Sequence, residues 1–344
     1  LKAETFDSTW KILEVSSANE YENGIIIRRI SPDISPDIFL GYEKPANRRM
    51  FLIRIKKQNY TEFRQLPQFR GFDISPVKFS DDSPESVIVG FILNDPAFED
   101  VFSTLCEDIY QTAKPEKNQK QMIRGVIERL LMWHHFLDIF GSQGLSPEYQ
   151  RGLYGELRFL RDILFPRIGI EKAIRAWKGP SKGNQDFQIS GIGVEVKTTI
   201  AKQHQKIPIA SEQQLDDTGL NVLYIYHLSL HEVNESGETL PAIIDQIRSL
   251  IALQKGPVHE FEIQLFKAGY IDTQRIKYES RGYVDRDIHI FLVKNEFPRI
   301  VENDLKNGVG DVHYTIALSS CIPFGVSEAD FLSDFGRDTC DQRE

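Results

Sequence analysis

The chain has 344 residues, 41% hydrophobic and 26% charged, a balance that supports a packed core and about two or three domains. No run approaches the roughly 20 apolar residues of a membrane helix, and residues 1–10 lack the basic-then-apolar order of a secretory signal. The net charge of −9 excludes wholesale, non-specific coating of nucleic acid, and three widely spaced cysteines, Cys106, Cys321 and Cys340, exclude a disulfide framework or a zinc knuckle. They read as reduced thiols of a cytoplasmic protein. The chain opens on Leu1 rather than Met, which reads as the removal of an upstream residue or tag.

Residues 10–15, 25–30, 50–55, 71–79 and 86–93 are rich in β-branched and aromatic side chains and are divided by Pro, Gly, Asn and Asp. That pattern predicts a β-rich N-terminal domain over residues 1–95. The short basic cluster Asn47-Arg48-Arg49 within it reads as a loop or a DNA contact. Two helices follow, over 96–113 and 118–140, the second with apolar residues at a helical period and two histidines, His134 and His135, read as packing residues. They form a helical connector, 96–145. A helix over 146–164, strands near Phe187, Val194 and Ile207, a short capped helix at Ser211 and an apolar strand over 221–230 make an α/β core, 146–235. Helices over 240–253 and 258–269 and strands over 271–323 make a mixed α/β C-terminal domain, 236–344, whose last twenty residues are polar and read as disordered. Residues 151–215 carry eleven Lys or Arg against six Asp or Glu, so a basic segment of +5 lies inside a remainder of −14. Such a segment is the local footprint that a phosphate backbone selects.

The chemistry concentrates in that basic segment. On the helix after Ser146, Leu153, Leu157, Leu160 and Leu164 form an apolar stripe, and Glu156 lies along its buried edge. A carboxylate there is costly unless a cation or hydrogen bonds meet it. Gly152 and Gly155 beside it suit close approach of the helix to a sheet. Then Gln185-Asp186-Phe187-Gln188-Ile189 and Val194-Glu195-Val196-Lys197-Thr198 alternate polar and apolar around a Ser-Gly-Ile-Gly turn, the mark of a half-buried hairpin. A two-residue loop sets Asp186 opposite Glu195; a four-residue loop sets it opposite Lys197, with Gln188 opposite Glu195. Either way Asp186, Glu195 and Lys197 share one face, because an even loop preserves the pleat. Two neighbouring carboxylates repel unless a cation intervenes. Asp186, Glu195 and the backbone carbonyl of Val196 can offer oxygens to Mg²⁺ or Mn²⁺, and Lys197 can orient a water or neutralise phosphate charge. The bland alternative is a surface hairpin with a cross-strand Asp–Lys pair worth about 0.2–1 kcal/mol.

Ser211-Glu212-Gln213-Gln214 has the form of a capping box, with Gln214 or Gln213 facing the site as the functional alternative. Lys178 and Lys182 stand in a glycine-containing loop without nucleotide-binding spacing. Lys202, His204 and Lys206 read equally as phosphate contacts or as a solvated loop.

Helix-borne Glu156, then Asp186, then Glu195-Val196-Lys197 resembles the PD-(D/E)XK nuclease superfamily, over about residues 146–230. The β-rich front and Phe297-Pro298-Arg299-Ile300 near the end also resemble a bacterial family named for this motif, encoded beside DNA methylases and helicase-like ATPases in restriction-type clusters. The resemblance implies a restriction-endonuclease-like fold with a mixed sheet flanked by helices. It implies a Mg²⁺- or Mn²⁺-dependent endonuclease acting on DNA, a subunit of a restriction or phage-defence system with methylase and ATPase partners. Asp186 and Glu195 would ligate the metal, Lys197 would act on the attacking water, and Glu156 would be an outer ligand. Gln188, Gln214 and Lys182 are accessory candidates. Gln185 stands where the motif name has Pro. The competing class is a nuclease-fold scaffold that binds DNA or partners without cutting; an RNA-directed nuclease is a third, weaker reading.

Overall fold

The computed structural model describes residues 6–20, 23–30, 37–79, 83–181 and 183–335, and of residues 17–20 the backbone alone. Its contacts divide the chain into two units, Leu1–Gly144 and Leu145–Glu344.

The first unit holds five antiparallel strands: β1 (Gly24–Arg29), β2 (Ile38–Lys44), β3 (Arg48–Lys56), β4 (Phe72–Val77) and β5 (Ser86–Leu93), in the order β1-β2-β3-β5-β4. Pro76 lies in edge strand β4, the place in a sheet that tolerates a missing N–H. Residues 10–15, expected as a strand, are instead helical, within α1 (Phe6–Glu20). Phe6, Trp10 and Leu13 recur at a helical period and are buried, and the Trp10 indole N–H donates to the carbonyls of Gly41 and Met50 at 3.1 and 3.2 Å. Branched and aromatic content suggested a strand there; the 3.6-residue period overrides it once Phe6 is included. β2 was not among the expected strands, although Ile38, Leu40 and Tyr42 alternate and are buried.

Helices α2 (Glu99–Ala113) and α3 (Gln119–Phe140) fall where expected. The Asn118 side chain accepts from the Lys120 N–H at 2.9 Å, and Gly141, at φ 58°, ends α3. Phe102 of α2 meets Trp10 and Phe72 at ring distances of 5.7 and 5.6 Å, so α2 shares the core of the sheet rather than standing apart as a connector. Arg49 of the basic cluster turns inward, pairing with Asp7, Glu14 and Glu99, while Arg48 pairs with Glu43; neither sits in a solvated loop. His134 packs edge-on against Phe69, whereas His135 is exposed.

In the second unit Ser146 caps α4 (Pro147–Arg158), accepting from the Tyr149 N–H at 3.3 Å. The helical run continues through a π turn, Phe159–Leu164, into α5 (Phe165–Ile168), and α6 (Ile170–Ala176) follows. Strands β6 (Phe187–Ile189) and β7 (Ile192–Thr199) form the expected hairpin. β8 (Lys206–Ile209) leads to β9 (Val222–Asn234), β10 (Glu238–Thr239), α7 (Leu240–Ile251), α8 (Lys255–Lys267) and β11 (Arg281–Leu292). The main sheet has the order β10-β11-β9-β7-β6, with β7 and β9 parallel and the other pairs antiparallel. β11, expected in a separate C-terminal domain, pairs along β9 from Arg281↔Asn234 to Leu292↔Tyr224. β8 pairs with β12 (Tyr314–Ala317), and Ile207, Ile209 and Ile316 of this small sheet share a core with Leu223, Ile225 and Phe291. The fold class is α/β, with a mixed sheet accompanied by helices.

Three other expectations fail. Residues 212–215 form a turn, not a helix: Gln214 and Asp216 bond back only three residues, to the carbonyls of Ser211 and Gln213. Residues 272–278 form a 3₁₀ helix, not a strand. Within the polar tail, Glu328–Asp334 is helix α10, after α9 (Leu318–Cys321), and Phe331 is buried with its ring 5.0 Å from that of Tyr224; residues 336–344, with Cys340, lie outside the described residues. Among the described residues no helix is long and apolar enough to cross a membrane.

Candidate active site

The hairpin register decides the question left open by the sequence. Phe187 pairs with Val194 and Ile189 with Ile192, so the loop is Ser190-Gly191, both at positive φ (47° and 83°), as a tight two-residue hairpin turn requires. One step beyond the last pair, Asp186 comes level with Glu195. Its Oδ2 accepts from the Val196 N–H at 2.8 Å, where β6 has ended and β7 still has a free edge. Glu195 is 1% exposed, and its Oε1 meets the Lys197 ammonium at 2.8 Å. Its other oxygen, Oε2, is buried with no hydrogen-bond partner.

Glu156 arrives from α4, which lies on the opposite face of β7. Gly155 permits the contact: a Cβ there would stand 2.4 Å from Thr198 Cγ2. Gly152, expected to help, faces open space instead. The buried Trp177 indole N–H donates to Glu156 Oε2 at 2.7 Å and aims the carboxylate at the hairpin edge. A Cβ on Gly179 would lie 2.8 Å from Glu156 Oε2 and 2.9 Å from Asp186 Oδ1, so both acids border one small space beside Gly179. The loop carrying Gly179 is itself tied down, since the N–H groups of Lys178 and Gly179 both donate to the Asp186 carbonyl, at 2.7 and 3.0 Å.

Burial and mutual repulsion govern the ionisation of this group. Desolvation, then the Asp186 charge, pushes the Glu156 carboxyl well above the usual range. Desolvation raises Asp186, against the pull of Lys197 and the Val196 N–H. Glu195 is raised by desolvation and by Asp186, with Lys197 opposing. Desolvation lowers Lys197, but the charges of Glu195 and Asp186 outweigh it and hold the amine protonated. With three acids facing one ammonium, the carboxyls hold protons rather than carry their full negative charge, and an added cation would favour their ionised forms. Beside Lys197 on β9 stands His227, buried, in contact with Thr199 Oγ1 at 3.0 Å. Desolvation drives its pKa down to about 4, so it adds no charge to the site at neutral pH.

The structure thus brings together Glu156, Asp186, Glu195, the Val196 backbone and Lys197. It adds Gln214, whose Oε1 accepts from Lys197 Nζ at 3.0 Å and from the Ala210 N–H at 2.8 Å. It leaves Gln188 exposed, bonded to Gln185 Oε1 at 2.8 Å rather than to the acids. Lys182 lies outside the described residues. Lys202 and His204 are exposed beyond β7. Two residues went unread: Trp177, whose only signal was a lone tryptophan before Lys-Gly-Pro, and Gln185, whose side chain reaches the turn that carries Gln214.

The donors are carboxylate oxygens, which suit a hard divalent ion better than a soft one, and the orphaned Glu195 Oε2 marks where such an ion would be met. Among the described residues no three His, Cys, Asp or Glu side chains stand at ion-holding spacing as they are, so binding would have to re-aim these acids and ease Lys197 from Glu195.

A family model described as "Putative PD-(D/E)XK family member (DUF4420)" matches residues 6–319. No curated protein and no solved structure matches the chain.

Proposed function

The chain belongs to this PD-(D/E)XK family, and from that premise we propose that it is a metal-dependent endodeoxyribonuclease. The observation that carries the reading is the meeting of Asp186, Glu195 and Lys197 at one hairpin edge, with Glu156 brought to the same edge from a packed helix. Asp186, Glu195 and the Val196 carbonyl would hold Mg²⁺ or Mn²⁺, with Glu156 an outer ligand. The ion, when bound, would lower the pKa of a water and offset charge on the phosphate. Lys197, kept protonated and steered by Glu195 and Gln214, would orient the attacking water and stabilise negative charge on the phosphoryl oxygens. Water adds to phosphorus and the bond to the 3′ oxygen breaks, leaving a 5′-phosphate and a 3′-hydroxyl. The basic segment 151–215 supplies the attraction for the DNA backbone, and the acidic remainder fits protein partners. A restriction or phage-defence assembly in the cytoplasm, with methylase and helicase-like ATPase subunits, is the setting this reading favours.

The test is incubation of purified protein with plasmid, with Mg²⁺, Mn²⁺ or chelator, beside Asp186→Ala and Lys197→Ala. Cleavage that needs both the ion and the two side chains supports the proposal. Cleavage shared equally by the variants overturns it. Tight DNA binding without cleavage, with or without its genomic neighbours, would favour the scaffold reading.

A further inference from the structure

We propose that Gln185 is a positioning residue, which together with Arg299 clamps the turn at 212–217 so that Gln214 presents its oxygen to the Lys197 ammonium. The catalytic consequence rests on the nuclease reading; the structural claim does not. Gln185 immediately precedes Asp186 and is 2% exposed. The two hydrogens of its Nε2 are shared among three backbone carbonyls, those of Gln213 and Gln214 at 3.3 Å and of Asp216 at 3.1 Å. Its Oε1 accepts from Gln188, which completes the amide's hydrogen bonding and leaves its nitrogen directed at the turn. The carbonyl missing from that set, Leu215, accepts from Arg299 Nη1 at 2.7 Å, and Arg299 Nη2 reaches Asp217 at 3.2 Å.

The carbonyls of Gln214, Leu215 and Asp216, which a helix would satisfy internally, are therefore satisfied from outside, and the segment stays a turn. The arrangement serves one exported feature. Gln214 sends its side chain away from the clamp, to Ala210 N and Lys197 Nζ. A turn free to wind into a helix or to fray would lose that aim. One strand thus supplies an acid to the site through Asp186 and, through its neighbour, fixes the group that orients the amine. Gln188 and the Phe-Pro-Arg-Ile stretch, both singled out in the sequence, find their use here rather than in contact with the reacting atoms.

The experiment compares wild type with Gln185→Met, which keeps size and removes the donors, and with Arg299→Lys, which loosens the same turn from its other side. Backbone hydrogen exchange over 212–217 and the ¹⁵N-resolved hydrogen exchange of the Lys197 ammonium are read in chelator, with β9 amides reporting an intact fold. Loss of the clamp is expected to speed exchange at both places by at least about tenfold. In DNA cleavage kcat should fall by about tenfold or more with KM nearly unchanged, because the interaction acts on the transition state. A folded variant whose turn and ammonium exchange as in wild type overturns the proposal, and so does one whose turn loosens while the ammonium does not respond. A wild-type protein that cuts no DNA under any condition counts against the nuclease reading alone, since the exchange measurements still decide this one.

Discussion

Each unit buries a cluster of charges, and the two clusters are built on opposite principles. In the first, one guanidinium, Arg49, is 4% exposed at its side chain and is met by Asp7, Glu14 and Glu99, each with a third or more of its side chain in water. The cation is enclosed and its partners can rehydrate. In the second, three acids crowd one ammonium, and one carboxylate oxygen has no partner at all. Desolvation pushes Asp7 up, but hydrogen bonds from Lys11 and Arg49 bring it below the usual carboxylate range. The acids of the second cluster all move the other way. Unsettled buried charges of this kind are enriched where proteins meet ligands, and settled ones where charges only hold a fold.

Activity should separate the two clusters most. Lys197→Ala and Asp186→Asn should each lower Mg²⁺-dependent plasmid cleavage by about 10²–10³-fold or more. Asp186→Asn should leave thermal stability unchanged or higher, because it removes a charge that repels Glu156 and Glu195, whereas Lys197→Ala, which takes the ammonium from buried Glu195, should lower it. Arg49→Met should cost stability alone. It removes a buried cation from three acids and should cost about 1–3 kcal/mol in urea unfolding of its own unit, without lowering the specific activity of the folded protein.

The pH dependence should also separate the two. A carboxyl with a raised native pKa binds protons more tightly folded than unfolded. In chelator, the second cluster should therefore weaken the protein as pH climbs through the ordinary carboxylate range, about 4, toward neutrality. Mg²⁺ should restore more Tm at pH 8 than at pH 5. Asp7, lowered in the native state, has the opposite sign: its contribution is present above the ordinary carboxylate range and fades as pH falls through it. Equal Mg²⁺ stabilisation at both pH values would remove the acids from the metal argument.

The smallest contrast lies on α4. Gly155→Ala should cost about 1–3 kcal/mol by driving a methyl into Thr198, whereas Gly152→Ala, in open space, should gain up to about 1 kcal/mol of helix propensity. Thermal melts of the two variants check this.

The hairpin was legible because a pleat needs only an even offset to place Asp186, Glu195 and Lys197 on one face. Glu156 was legible for a similar reason, its place on the edge of a leucine stripe. What escaped were links whose partners are backbone carbonyls or lie far along the chain. Gln185 binds the carbonyls of 213, 214 and 216, which carry no side-chain signature, and Trp177 finds Glu156 twenty-one residues back. The domain boundary expected near residue 235 obscured β11, because a strand's partner is chosen by tertiary pairing and Glu235 already sits in a turn at positive φ.

The parallel pairing of β7 with β9 has a consequence for how the site comes into being. Antiparallel neighbours joined by two residues can zip together within microseconds, but parallel neighbours must wait for the intervening chain to loop around. Here that chain, residues 200–221, contains the turn that bears Gln214. Asp186 and Glu195 are thus expected to meet early in folding, and the amide that steers the amine to arrive last. Pulse-labelled refolding should protect amides of 187–196 before those of 212–217, which would make the completed site a late checkpoint on a correctly docked sheet.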